Sequence, residues 1–306
     1  MSGQPGPILA VDGVSVSFPG LRDERVRVVD DVSFEVGRSE TVALVGESGS
    51  GKSVTALSIM GLNAPSARVE GGRVLVDSRD LIAMDNEEKR TYRGRRIGMI
   101  FQSPRTSLNP LVKAGEQIAR VVRLHRGVGR QEASRAALEL MSSVGIDDPA
   151  WRAHAYPHQL SGGMAQRIMI AMALAAEPEL LIADEPTTAL DVTIQAQIFD
   201  LLLELRERHE LSVLLITHDL AVVAETSDRV VVLYRGRVVE TGPTKAIFDE
   251  PAHPYTQRLV RSILRADRRV KVTDLPSLDG FDSARPPGLE PAGSVPGHLA
   301  EQVGPR

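Results

Sequence analysis

The sequence predicts an α/β protein built on a parallel sheet with both faces covered. Three observations predict it. Apolar strand-like runs, TVALV (41–45), LLIAD (180–184), SVLLIT (212–217) and RVVVLY (229–234), recur along the chain, with helical stripes between them. A glycine-rich segment, GESGSGKS, joins the first of these runs to the helix-like run SVTALSIMGL. Residues from about 103 to 176 read as a block of helices inserted into this alternation.

Taken in order, ILAVDGVSVSF (8–18) and VDDVSFEVG (29–37) read as strands with turn residues between them. The helix after the glycine-rich loop is expected to stop at Gly61. GGRVLVDS (71–78) and RIGMIFQ (96–102) are two further strands. Within the helical block, Ala133, Ala136, Ala137, Leu140, Met141 and Val144 fall on one face at helical spacing. Ser161 precedes a run that continues into IMIAMALAA and reads as a helix N-cap. Ile194, Ile198, Leu201, Leu202 and Leu205 form a second helical stripe, and LAVVAET (220–226) a short helix. There is no internal repeat. From about Val270 proline and glycine dominate, so the tail is expected to lack a packed core of its own.

Composition bounds the function. The chain has 306 residues, 42% of them hydrophobic and 25% charged, which suits a soluble globular protein able to bury a sizeable core. A net charge of −4 supplies no basic field for nucleic acid. The absence of cysteine excludes disulfides, thiolate metal sites and a cysteine nucleophile. MSGQPGPILAVDG has neither a basic region nor a long apolar stretch, so a signal peptide is not expected. The longest uncharged apolar run, Ile168–Ala176, falls well short of the roughly 20 residues that span a bilayer. A membrane role is therefore expected to come through a partner.

The chemistry concentrates in a few places. GESGSGKS, Gly46 to Ser53, fits G-x-x-x-x-G-K-[ST] in the strand-to-helix context that the motif requires. The backbone amides of such a loop wrap phosphate oxygens; Lys52 would reach the β and γ phosphates, and Ser53 would offer a hydroxyl to Mg²⁺. LLIADEPT projects Asp184 and Glu185 from the C-terminal end of a buried strand, where ligands bind in open α/β sheets. Asp184 would hold Mg²⁺, and Glu185 would polarise an attacking water. Gln102 and His218 also follow core strands. Each reads either as an ordinary loop residue or as a group brought near the phosphates. Asp191 reads as a helix cap or as a subunit contact. The serine and glycines of LSGGMAQR (160–167) make a second anion site at a helix start.

Together these elements resemble the nucleotide-binding subunit of an ATP-binding-cassette (ABC) transporter. The matching pieces are GESGSGKS (Walker A), Gln102 (Q-loop), LSGGM (signature), LLIADEP (Walker B), TALD (D-loop) and His218 (switch histidine), in the family's order over about residues 8–265. Two longer stretches resemble the oligopeptide/dipeptide/nickel importer class: IFQSPRTSLNPLVKAGEQI and FDEPAHPYTQRLVRSI, the latter with His-Pro-Tyr-Thr at 253–256.

The resemblance implies a P-loop NTPase core with an antiparallel β subdomain and an inserted helical subdomain at about 103–176. It implies a C-terminal extension at 266–306. It implies ATP and Mg²⁺, with ATP held by Gly46, Glu47, Ser48, Gly49, Ser50, Gly51, Lys52, Ser53 and Val54. Phe18 matches the family's adenine-stacking aromatic, and otherwise reads as a core residue at a strand end. Mg²⁺ would be held by Ser53, Gln102 and Asp184. Catalysis would rest on Glu185, His218, Gln102 and Lys52. Ser161, Gly162, Gly163 and Met164 would contact ATP bound to a second subunit, and Asp191 would lie at that interface.

The implied partners are two transmembrane permease subunits, a second ATP-binding subunit (identical or paralogous) and, indirectly, an extracytoplasmic solute-binding protein. The implied place is the cytoplasmic face of the membrane, with no nucleic acid involved. Transport of peptides, nickel or other small solutes stays open at this point. A soluble or exporter-type ABC ATPase is the rival. Three departures stand out. Met164 replaces the glutamine of many family members. Ala165 stands where the peptide class often has a basic residue. The tail lacks that class's cysteine cluster, which excludes a cysteine-ligated iron–sulfur centre.

Overall fold

In a computed structural model of the chain, residues 6–21, 24–188 and 190–264 are described. The tail from 266 lies outside them. The chain opens with β1 (Leu9–Pro19) and β2 (Arg25–Val36), then β3 (Thr41–Val45), α1 (Lys52–Met60), β4 (Arg68–Val76), β5 (Arg79–Asp80), α2 (Asn86–Tyr92) and β6 (Ile97–Ile100). A helical stretch follows: α3 (Pro104–Ser107), α4 (Ala114–Arg126), α5 (Arg130–Ser143), α6 (Pro149–Arg152) and α7 (Gly162–Leu174). Alternation then resumes with β7 (Leu180–Asp184), α8 (Val192–His209), β8 (Ser212–Ile216), α9 (Leu220–Thr226), β9 (Arg229–Tyr234), β10 (Arg237–Pro243), α10 (Thr244–Asp249) and α11 (Pro254–Leu264).

The strands form two sheets. One is antiparallel, ordered β2-β1-β4-β5; the other is ordered β10-β9-β3-β8-β7-β6. The second is parallel from β9 to β6, with β10 antiparallel at its edge. Its central strands carry near-continuous Val, Ile, Leu and Ala because both faces are buried. Successive side chains point to opposite faces. Val42 and Leu44 of β3, Ile182 of β7 and Leu214 of β8 join the core shared with α1 and the antiparallel sheet. Leu181 of β7 and Val213 and Leu215 of β8 face the core shared with the helical lobe. Ala43 and Val45 of β3 and Val230 and Val232 of β9 pack with Leu220, Ile247 and Tyr255 on α9, α10 and α11.

The helical lobe forms where the apolar spacing places it. Ala133, Ala137 and Met141 of α5 and Val144 just beyond it are buried, and Ala136 and Leu140 pack beside them. The stripe on α8 buries Ile198, Leu201, Leu202 and Leu205, with Ile194 half-buried against the same core. At the end of α1, Gly61 takes φ 60°. The Leu62 amide bonds the Leu57 carbonyl at 2.8 Å, and the Gly61 amide bonds that of Ser58 at 3.0 Å. This pairing closes the helix and relies on a left-handed glycine.

Several bounds differ from the sequence reading. The strand expected at 96–102 ends at Ile100, so Gln102 stands clear of the ladder. β2 begins at Arg25 and β4 at Arg68, each earlier than hydrophobicity suggested, because both pair with β1 through polar positions.

Candidate functional site

The phosphate loop spans β3 and α1, and its shape depends on two glycines. Gly46 has φ 154°, and a Cβ there would stand 2.1 Å from the Leu233 carbonyl oxygen. Gly51 has φ 104°, and a Cβ there would come within 2.7 Å of the Val28 carbonyl oxygen. The loop therefore presses against β9 and β2 at positions where only glycine fits. Lys52, 5% exposed, curls back so that Nζ donates to the carbonyls of Gly46 at 2.8 Å and Glu47 at 2.9 Å. Burial pulls its ammonium below the ordinary lysine range, against the opposing charges of Glu185, Asp184 and Glu47.

The Ser53 hydroxyl, on the first turn of α1, donates to Asp184 Oδ1 at 3.0 Å. Asp184 ends β7 and is 5% exposed; burial raises its pKa, and the Ser53 hydrogen bond opposes that rise. A hydroxyl and a carboxylate side by side are the hard oxygen donors that Mg²⁺ takes, usually completed by phosphate and water. Among the described residues no group of three His, Cys, Asp or Glu is placed to hold an ion by itself. The donor set thus fits a magnesium ion shared with a nucleotide.

The raised pKa carries a stability consequence. Asp184 binds its proton more tightly folded than unfolded, so its contribution is present at low pH and is lost as pH rises through the folded value. Asp184→Asn, permanently neutral and still an acceptor for Ser53, is expected to raise the melting temperature of the nucleotide-free chain at pH 8. At pH 3 it should change little. Melting curves across that range check this prediction, and an equal shift at both ends would contradict it.

Glu185 follows directly and has φ 45°, an uncommon backbone for a residue with a side chain. Its amide is fixed by the Ile216 carbonyl at 2.8 Å. Its carboxylate accepts from Gln102 Nε2 at 2.7 Å and from Thr188 Oγ1 at 2.9 Å, both at Oε2. His218 Nδ1 lies 3.4 Å from Oε1. Burial would raise the pKa of Glu185, but the hydrogen bonds from Thr188, Gln102 and His218 outweigh it and hold the carboxyl below its ordinary range. A cleft lined by Glu185, Thr188, Gln195, Thr217 and His218 opens beside it.

The structure thus brings together Lys52, Ser53, Asp184, Glu185, Gln102 and His218. Thr188 was not read as a site residue, and only its hydrogen bond to Glu185 reveals it. Gln102 was read as a metal ligand; here its amide nitrogen is engaged by Glu185, so Oε1 is the atom able to ligate. Phe18 closes β1 opposite Val26, half-buried against the core between the sheets.

Ser161 caps α7 by accepting from the Met164 amide at 3.2 Å. Gly162 packs under Leu190, just before α8, and a Cβ on Gly163 would meet Ile194 in the first turn of α8 at 2.8 Å. Among the described residues no hydrogen bond joins 161–164 to 46–54. Ala165, 1% exposed, faces the lobe core. Nothing else in the structure explains why alanine stands there in place of a basic residue.

Asp191 caps α8 through the Ile194 amide at 3.0 Å. Asp191→Ala is expected to cost about 1 kcal/mol, whereas Asp191→Asn, an equally good cap, should be neutral. Urea unfolding of both variants measures this, and equal losses would contradict it.

A glycine-rich phosphate loop on a parallel sheet, followed by a paired Asp-Glu at a neighbouring strand end and interrupted by a helical lobe, defines a cassette-type P-loop ATPase. The ABC transporter family model matches residues 29–188, and the chain belongs to that family. The model for the oligopeptide/dipeptide transporter C-terminal region matches residues 239–282. A dipeptide transport ATP-binding protein, DppD, of Escherichia coli (strain K12) is 49% identical over 92% of this chain and 86% of its own. The DppD of Bacillus subtilis (strain 168) is 47% identical over 95% and 88%. Among solved structures, the dimeric post-hydrolysis state of the ATP-binding cassette MJ0796 with ADP and Pi aligns with a TM-score of 0.69. It is 30% identical and covers 77% of this chain and 98% of that one. The chain is an ATP-binding ABC ATPase.

Proposed function

We propose that this chain is the ATP-hydrolysing subunit of a peptide importer. Residues 8–265 serve as its nucleotide-binding domain, and 266–306 extend it. The observation that carries the reading is the Glu185 carboxylate, gripped by Gln102, Thr188 and His218 one residue from the Ser53–Asp184 pair. Relatives named for dipeptide transport support the cargo class.

Lys52 would exchange its two carbonyl partners for the β and γ phosphates, while the loop amides wrap their oxygens. Ser53, Asp184 and Gln102 Oε1 would hold Mg²⁺, which when bound neutralises phosphate charge. Glu185, ionised at neutral pH, accepts the proton of the attacking water. His218 contacts the γ-phosphate and helps hold that water. Phe18 stacks on the adenine. Ser161, Gly162, Gly163 and Met164 cap the γ-phosphate of nucleotide bound to a second ATP-binding subunit, with Asp191 at the interface.

That subunit pair would sit at the cytoplasmic face of the membrane on two permease chains, fed by an extracytoplasmic solute-binding protein. Among the described residues no helix is long and apolar enough to cross a membrane. A groove lined by Met99, Phe101, Leu108, Val121, Met169 and Met172, where β6 meets the lobe, suits a permease's cytoplasmic segment. Affinity purification from membranes tests this. Two hydrophobic permease chains are expected to co-purify; RNA or ribosomal proteins in their place would contradict it.

A further inference from the structure

Tyr255 lies in the first turn of α11, far along the chain from the phosphate loop, and is 1% exposed. Its hydroxyl oxygen accepts a hydrogen bond from the Glu47 amide at 2.9 Å. Glu47 is the second residue of the loop. Its carbonyl accepts from Lys52 Nζ at 2.9 Å and from the Ser50 amide at 3.2 Å. The Gly46–Glu47 peptide therefore donates its N–H to Tyr255 and offers its carbonyl, that of Gly46, to Lys52 Nζ at 2.8 Å.

The tyrosine is itself held firmly. Its ring packs on Tyr234 of β9, centroids 4.2 Å apart at 34°. Its amide donates to His253 Nδ1 at 3.1 Å. The amides of Ala252 and His253 donate to the Glu240 carboxylate on β10 at 2.7 and 3.0 Å. Burial pushes the phenol up to about 12, so it stays neutral at any working pH. This anchored segment falls within the stretch matching the oligopeptide/dipeptide transporter C-terminal region.

We propose that Tyr255 is a positioning residue for ATP: through the Gly46–Glu47 peptide it braces the phosphate loop and sets the Gly46 carbonyl from which Lys52 is released to the nucleotide. The proposal rests on the ATP-site reading for its consequence, but the strut itself does not need nucleotide. It gives the C-terminal segment a task at the site that its name does not suggest. Tyr255 touches neither Glu185 nor the water it would act on, so its loss weakens nucleotide binding and leaves the chemical step in place.

The test is Tyr255→Phe in the full chain, which keeps the ring and removes the acceptor. Without nucleotide, amide hydrogen exchange across 46–50 should rise severalfold, with β8 unchanged. With fluorescent mant-ATP and Mg²⁺, Kd should weaken by about fivefold, the scale of one lost hydrogen bond. In the assembled transporter, KM for ATP should rise while kcat holds within about twofold. A merely structural role would lower the melting temperature and kcat together, and that pattern would overturn the proposal. Unchanged exchange and Kd in Tyr255→Phe, with wild type binding mant-ATP, would also overturn it while leaving the ATP reading intact. Raised exchange in the variant with no mant-ATP binding by wild type would sink the ATP reading and uphold the strut.

Discussion

Glu185→Gln is expected to lower ATP turnover in the assembled transporter by about 10³-fold while ATP affinity stays within a few-fold of wild type. The substitution keeps size and an acceptor for Thr188 and Gln102, so the fold around the phosphate loop is preserved. It removes the carboxylate that, in the proposed reading, takes a proton from water. Three donors converge on that carboxylate, and together they outweigh its burial. Turnover should accordingly hold at neutral pH and fall only as pH drops below the ordinary carboxylate range. Phosphate release measured beside mant-ATP binding separates the two effects. Wild-type turnover in the variant would remove Glu185 from the mechanism.

The second large effect is expected at Ser161. Ser161→Arg should leave the isolated chain's ATP affinity nearly unchanged and lower turnover in the assembled pair by about 10²-fold, the scale of a lost phosphate-stabilising donor group. The serine caps α7 with its side chain and, among the described residues, makes no hydrogen bond to the phosphate loop of its own chain. The free amides at that helix start favour an anion from elsewhere. Ser161→Ala serves as the control, losing the cap without adding bulk or charge, so its turnover should fall less. Collapse of ATP affinity in the isolated arginine variant would show that the site acts in cis.

Much of the fold was legible because burial on both faces leaves a plain mark. TVALV, LLIAD and SVLLI carry no interior charge, and each is fully buried. The phosphate loop was legible from its glycines, two of which hold backbone shapes that close packing reserves for glycine. The α2 helix went unread although Asp85 and Glu88 form a capping box at its start, a signal present in the sequence. β10 and α10 went unread because their stability comes from packing on β9 and α9, not from periodicity of their own.

The site divides the same way. Lys52, Ser53, Asp184 and Glu185 follow from local motifs. Gln102 is marked by its place after a core strand, although its bond to Glu185 is not; Thr188 and Tyr255 are unmarked, since each acts through a hydrogen bond across a turn or to a residue distant in sequence. Asp191 was read two ways, and its cap on α8 is now visible.

The most direct measurement is uptake of a labelled dipeptide into proteoliposomes holding this chain with its co-purified permeases and second ATP-binding subunit, with the matching binding protein outside and ATP inside. Accumulation that requires ATP and is lost with Glu185→Gln is the predicted result. Uptake at the same rate without ATP, or with Glu185→Gln, would contradict it.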